Sequence, residues 1–372
     1  MRTMHPTLLI GPADWTPDRL PAEEYSRRLA QLWADHPPAG GAIVYGDPRE
    51  HGALAYLTHF TPKLEPALAL LSKSGEARLL VGGGATMIGA ARPLTFIKDL
   101  APLRDPGAAV AEWTRGLPVG AEIVLINGDA MTSSTFDAVQ TALRGRSVID
   151  GDGQLAARMR VKSAHELALI RAACAMLSEG VAALREAFRR GNGVSDCILQ
   201  AEHALLEKGA QDVRSLFSLD GGRTLQPFEE LVARRVDPLA AYLAVRHDGY
   251  WVDTFCSLQS RPDRLTDHAQ AVLDAVIADV HPGVDPATLP RRSEALRGSF
   301  GPHPVTGVCT ARSVGLSLDD EPASGRRPSA VGEVHALHVG LTDASHGTFA
   351  SAIVAVTAHG SELLWSSRSH HA

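Results

Sequence analysis

The chain has 372 residues, 45% of them apolar and 21% charged, enough for two domains with ordinary hydrophobic cores and no need of disulfide staples. A net charge of −6 gives no electrostatic footprint for nucleic acid or an anionic membrane surface, both of which want a basic stripe. Cys174, Cys197, Cys256 and Cys309 are scattered without CxxC spacing, as expected of free thiols in a cytoplasmic protein. No apolar run approaches the length of a membrane span. Residues 1–21, broken by Pro6, Pro12, Pro17 and Pro21, lack the basic-then-apolar order of a signal peptide.

In chain order, residues 23–36 predict a helix, and 41–45, 67–71, 77–82 and 123–126 predict strands. Residues 106–117 predict a further helix with Trp113 on its apolar side. This alternation is an α/β pattern. Gly82-Gly83-Gly84 lacks the G-x-G-x-x-G order and reads as a strand-ending turn. Gly151-Asp152-Gly153 breaks the composition and reads as a linker, dividing the chain into domains 1–152 and 153–372. Beyond it, Ser163-Ala-His-Glu166 has the form of a capping box. The helix it opens runs to about Arg190 and stops at Gly191, and a second helix spans 195–208. The arrangement then echoes. Phe188-Arg-Arg-Gly-Asn-Gly-Val194 leads into a helix ended by Gly209, and Val280-His-Pro-Gly-Val284 leads into one ending near Gly298. Each comes after a helix (166–189 and 266–280) and precedes strand-like segments. A duplicated domain with its pocket between the halves accounts for both.

Several segments carry a family resemblance. Met159-Arg-Val-Lys-Ser-Ala-His-Glu-Leu resembles R-x-I-K-S-x-x-E-[IL]. Asp248-Gly-Tyr-Trp-Val-Asp253 resembles D-G-Y-x-S-D, and Arg312-Ser-Val-Gly-Leu316 resembles H-[GS]-I-G-L. Gly332-Glu-Val-His-Ala-Leu-His-Val-Gly340 matches G-M-V-F-T-V-E-P-G in register, and 347–357 with Gly360 matches G-V-R-I-E-D-T-V-L-V-T-x-x-G. Near the N-terminus, Tyr45-Gly-Asp-Pro-Arg-Glu-His51 and Ala55-Tyr-Leu-Thr-His-Phe60 resemble the creatinase-type leading domain. In this order the motifs resemble the creatinase, prolidase and aminopeptidase P family. The resemblance implies an α/β N-terminal domain followed by an α+β pita-bread domain with an internal pseudo-twofold repeat. It also implies a homodimer in which one subunit's N-terminal domain borders the other's pocket, so that Arg49, His51, His59 or Phe60 would complete the site in trans.

The resemblance also marks what is missing. Metal-dependent members hold two divalent ions with two Asp, one His and two Glu, and those places fall on Tyr242, Asp253, Arg312, His338 and Ser351. The usual set brings four negative charges, whereas this one brings one carboxylate and one guanidinium that cannot deprotonate. At contact distance from two cations that guanidinium costs several kcal/mol even at an effective dielectric of roughly 20. No metal and no other cofactor is therefore expected. Creatinase, the metal-free precedent, uses a histidine that here falls near Leu225-Gln-Pro-Phe228, on Gln226 or Pro227. Two carboxylates that would hold a guanidinium are His338 and Ser351, which argues against creatine as the substrate.

The remaining side chains suggest chemistry of their own. His338 is the expected general acid or base, Asp253 its orienting partner, and Tyr242 a donor to a developing oxyanion. Arg312 suits a substrate carboxylate, with Gln226 and Ser351 beside it. An alternative is equally physical: Arg312 pairs with Asp253 to fill the space of the lost metals, and His338 is a satisfied core histidine. Cys309 precedes Arg312 but reads as a buried thiol. Strand alternation turns Cys256 away from Asp253 and His335 away from His338. His303, Asp319 and Asp320 flank the Arg312 loop, and His370-His371 reads as a tail. The expected function is a metal-independent enzyme acting on a small carboxylated, nitrogen-containing molecule. C–N hydrolysis or a related lyase or isomerase step is the expected chemistry. The alternatives are a non-catalytic binding protein and an Xaa-Pro metallopeptidase with an aberrant site.

Overall fold

The computed structural model describes residues 14–261, 263–290, 305–318 and 327–370. His303, Asp319, Asp320, His371 and the helix end expected near Gly298 lie outside the described residues. Two compact units emerge, Met1–Met159 and Arg160–Ala372.

The first unit opens with α1 (Ala22–Asp35), β1 (Ala39–Gly46), α2 (Gly52–Thr58), β2 (Ala67–Ser72), β3 (Ala77–Val81) and β4 (Asp99–Pro102). It continues with α3 (Pro106–Thr114), β5 (Glu122–Ile126), α4 (Ser133–Ala142), β6 (Val148–Asp150) and α5 (Asp152–Arg160). The strands form one mixed sheet in the order β4-β3-β2-β1-β5-β6. β1 is central and buried along its whole length. Its Gly41 leaves room for the Trp113 ring, 2.6 Å from where a Cβ would stand. Ile43, Leu68, Leu70, Val110 and Val139 pack one face of the sheet beneath α3 and α4. The division falls after Met159 and not at Gly151-Asp152-Gly153. There is a local reason: Asp152 Oδ1 accepts the Asn127 N–H at 2.7 Å, and Leu155 is buried. Both tie α5 to the first unit.

The second unit contains α6 (Ala164–Arg189), α7 (Val194–Glu207), β7 (Asp212–Phe217), β8 (Leu239–His247) and β9 (Tyr250–Leu258), then α8 (Arg264–Ala278). It ends with β10 (Thr306–Ser313), β11 (Val334–Thr342), β12 (Gly347–Thr357) and β13 (Gly360–Ser366). The strands form two antiparallel sheets, β7-β8-β9 and β10-β11-β12-β13. α6 packs on β8 and β9, and α8 packs on β11 and β12, so helix-on-sheet recurs in both halves. Gly191 and Gly283 take positive φ in the turns after α6 and α8, the backbone state that glycine tolerates best.

α6 is long and apolar enough to cross a membrane, against the expectation that no segment would be. Here it is the core helix of its half, with Leu169, Ile170, Leu177, Val181 and Leu184 buried. Its capping box is formed. Ser163 Oγ accepts the Glu166 N–H at 3.2 Å, and Glu166 Oε2 accepts the Ser163 N–H at 2.9 Å. The other carboxylate oxygen accepts from Tyr250 Oη at 2.8 Å, which ties the helix start to β9.

Two local features position the site. Asp248-Gly249 joins β8 to β9 as a two-residue hairpin with both residues at positive φ, the turn that matches strand twist. That turn sets the register in which Tyr242 faces Phe255 and Ala244 faces Asp253. The second feature is a seam. Among the described residues no backbone ladder joins β9 to β12; hydroxyls bridge them instead. Ser351 Oγ accepts the Phe255 N–H at 3.0 Å and donates to the Phe255 carbonyl at 2.9 Å, while Ser257 Oγ accepts the Phe349 N–H at 2.9 Å.

His335 points away from the seam to Ser329 Oγ at 3.2 Å, with Glu333 at 3.6 Å. Burial, with the charges of Lys162 and Arg160, pushes its pKa down to about 4. It therefore stands neutral beside Glu333 rather than forming an ion pair.

Both the capping box and His335 carry measurable consequences. Ser163→Ala removes one half of the capping box and is expected to cost about 1 kcal/mol in urea unfolding. For His335 the unfolded chain binds the extra proton between its ordinary 6.5 and about 4. Stability should therefore fall as pH drops through that window, by a limit of about 3 kcal/mol. His335→Leu should flatten the acid limb of a stability-against-pH curve.

Candidate functional site

The inner face of the β10–β13 sheet opposite α8 carries Arg312, His338 and Ser351, set by register: Arg312 lies opposite Ala336, and His338 opposite Ser351. The intervening positions face the other way. Cys309, Leu337, Val339, Ala350 and Ala352 pack into the core beneath α8. Alternation therefore takes Cys309 away from His338. Cys256 is likewise turned from Asp253, with its thiol against the Ala241 carbonyl at 3.6 Å. All four cysteines are buried and unpaired by disulfide.

Across the seam, β9 contributes Asp253 and Phe255, and β8 contributes Tyr242. Asp253 is 2% exposed. Its Oδ2 accepts from Arg312 Nη2 and lies 3.3 Å from His338 Nε2. Burial alone would raise the Asp253 pKa, but His338 and Arg312 together outweigh it and the net shift is downward. Arg312 Nη1 donates to the Leu318 carbonyl. Burial, and then the Asp253 charge, push the Tyr242 phenol well above its ordinary range.

His338 is held from one side. Its Nδ1 is 2.9 Å from Ser351 Oγ, and that hydroxyl also contacts the N–H and the carbonyl of Phe255. A carbonyl can only accept and Ser351 has one proton to give. All three contacts are satisfied together when Nδ1 carries the hydrogen and Ser351 donates to Phe255. Nε2 is then the working nitrogen. It is buried and lies 3.3 Å from Asp253 Oδ2, a contact bent away from ideal hydrogen-bond geometry. Ser351 is fully buried with its hydroxyl committed, which places it behind the imidazole rather than at the pocket surface.

Five of the six residues expected at the site converge: Tyr242, Asp253, Arg312, His338 and Ser351. Gln226 sits nearby at a strand edge, its backbone paired with Phe217. Among the described residues no side-chain hydrogen bond joins it to the other five. The sequence reading missed an aromatic wall. Phe255 lies 4.7 Å from Tyr242, 4.9 Å edge-on to His338 and 5.4 Å from Phe349, centroid to centroid. Phe255 is two residues after Asp253 and Phe349 two before Ser351, so strand alternation from the polar residues would have found both. Gly340 makes room for the wall, since a Cβ there would stand 2.9 Å from the Phe349 ring.

In the first unit, Phe60 is fully buried and His51 is buried as well. His59 Nδ1 contacts the Leu94 carbonyl at 3.1 Å, and Arg49 is exposed.

The donor set does not fit a paired divalent metal centre. A guanidinium already holds the one carboxylate. Among the described residues no three His, Cys, Asp or Glu side chains gather in a way that could hold an ion.

No family model matches the sequence, and no curated protein matches it. Solved structures do. X-Pro aminopeptidase from Thermotoga maritima MSB8 superposes with a TM-score of 0.77 at 14% identity, covering 92% of this chain and 97% of its own. The prolidase from Pyrococcus horikoshii OT3 gives 0.72 at 14%, covering 91% and 97%. Proline aminopeptidase P II from Yersinia pestis gives 0.73 at 17%, covering 92% and 95%. The chain has the pita-bread fold of the prolidases and X-Pro aminopeptidases, at an identity that carries the fold and no further.

Proposed function

We propose that the protein hydrolyses a C–N bond in a small carboxylated, nitrogen-containing molecule without a metal ion. The observation that carries this reading is His338: a buried imidazole fixed at Nδ1 by Ser351, with Nε2 facing the Asp253 carboxylate at 3.3 Å. That is the arrangement of an oriented general base with a stabiliser for its charged form.

In this reading Nε2 takes a proton from water as the water attacks the substrate carbon. Asp253 offsets the imidazolium that results. The C=O electron pair moves to oxygen, where the Tyr242 phenol, kept protonated by burial, donates a hydrogen bond. Collapse expels the nitrogen, which takes its proton back from Nε2. Arg312 has spent one hydrogen on Asp253 and one on Leu318, and the rest of its fork can meet a substrate carboxylate. The ring of Phe255, stacked on Phe349, gives the apolar part of the substrate a surface. The names of the similar structures, peptidases for X-Pro sequences, lend support to amide C–N chemistry.

A second reading has its own observation. Arg312 is already paired with Asp253, and a neutralised, buried pair needs no substrate to explain it; the pocket would then bind a ligand without turnover. The same peptidase names favour a metallopeptidase, but the donor set argues against that.

A mass-spectrometric screen of dipeptides, N-acyl amino acids and guanidino acids in excess EDTA tests all three. Turnover unchanged by EDTA is expected, with stoichiometric metal absent from elemental analysis. His338→Ala should lower kcat by at least about a thousandfold, and Tyr242→Phe by about a hundredfold with little change in KM. Full activity in His338→Ala would remove the imidazole from the reaction, and saturable binding with no product would leave the binding reading.

A further inference from the structure

Away from this site, the second unit holds a cleft of about 900 Å³ lined by the last turns of α6, the end of β9 and the first half of α8. Its lining is cationic, on a chain of net charge −6. Arg185, Arg189, Arg235 and Arg368 line it against two carboxylates, Asp267 and Asp274. Asp274 is committed, taking Arg368 Nη1 at 2.9 Å and Gln270 Nε2 at 2.8 Å. Arg189 reaches Glu186 at 3.6 Å and Arg235 reaches Asp237 at 3.7 Å, half-exposed contacts of the kind that contribute little.

Arg185 is different. It is half-buried, yet among the described residues no carboxylate lies within ion-pair distance and no hydrogen bond engages its guanidinium. Burial pushes its pKa down; Cys256 opposes the shift in part, and the neighbouring Arg189 adds to it. Burial and Arg189 both disfavour the charged form, and an anion would relieve both. Arg235 is held ready beside it. Its guanidinium lies 4.9 Å over the Phe188 ring, and Nη2 donates to Ser260 Oγ at 2.7 Å. An ordered guanidinium gives up less freedom when it meets an oxyanion.

We propose that this cleft binds a phosphate-bearing small molecule, its phosphate seated on Arg185 and flanked by Arg189 and Arg235. A phosphate monoester carries close to two negative charges at neutral pH and presents several oxygens to guanidinium forks at once, which a single carboxylate does not. The phosphate fills a fraction of the volume, and the remainder, beside Leu258 and Ala271, takes the organic part. Asp267 selects against a second phosphate and for a hydroxyl or amine. The assignment is independent of the chemistry at His338.

Isothermal titration of the full-length protein with inorganic phosphate, at constant ionic strength and with acetate as the singly charged control, is the test. Saturable binding of phosphate, not matched by acetate, is expected. Arg185→Gln should weaken it at least about tenfold, the loss of one charge-assisted contact, while His338→Ala leaves it unchanged. If circular dichroism shows that Arg185→Gln does not fold, Arg235→Gln carries the same expectation. No saturable phosphate binding, acetate binding equally well, or a folded arginine variant that binds like the parent would overturn the proposal.

Discussion

A carboxylate withdrawn from water must be neutralised where it stands, and Asp253 is such a group. It sits on β9, nearly inaccessible to solvent, facing a second sheet. The cost of burying it is offset by two cationic or protonatable neighbours, Arg312 from β10 and His338 from β11. Both come from the opposite sheet, so the charge balance of the site exists only when the two halves of the second unit are packed together. In return, the pair holds the facing strands in one alignment. A slip of one residue in either sheet would turn Asp253 into the core beneath α6 or Arg312 into the core beneath α8.

The hydroxyl seam works with that pairing. Ser351 joins the sheets through both polar groups of the Phe255 backbone and fixes the imidazole through the same oxygen. One small side chain thus sets the distance between β9 and β12, the hydrogen position on His338 and the direction of its Nε2. A larger residue there would part the sheets. An alanine would leave Phe255 and the imidazole without their shared partner. The geometry of the site is thus written into the packing of two sheets.

Much of this was legible beforehand, because local rules fix it. The capping box at Ser163 and Glu166 and the stops at Gly191 and Gly209 are short-range chemistry, and each appears where its residues stand. Alternation along β9 and β11 correctly turned Cys256 and His335 away from the site, and Cys309, read as a buried thiol, is buried. The misreadings have tertiary causes. α6 has the length and apolarity of a membrane span, and only its packing against β8 and β9 makes it a core helix. Gly151-Asp152-Gly153 has the composition of a linker, but the Asp152 cap on Asn127 and the burial of Leu155 draw the following helix into the first unit. Phe255 and Phe349 carried no polar signal of their own, and alternation counted from Asp253 and Ser351 was the local clue to the wall that went unread.

The sequence by itself determined the two-part order of elements, the repeated helix-and-strand halves and the single carboxylate among Tyr242, Asp253, Arg312, His338 and Ser351, because periodicity, caps and residue type act over a few neighbours. The tertiary structure decided what those positions do together. Residues far apart in the chain, Asp253, Arg312, His338 and Ser351, acquire partners only across the seam between two sheets. Which hydrogen bond a side chain makes there depends on strand register and sheet packing, distances that no local pattern encodes. The same holds for Arg185. An arginine on a helix is unremarkable in sequence, and only the fold withdraws it from water without supplying its anion.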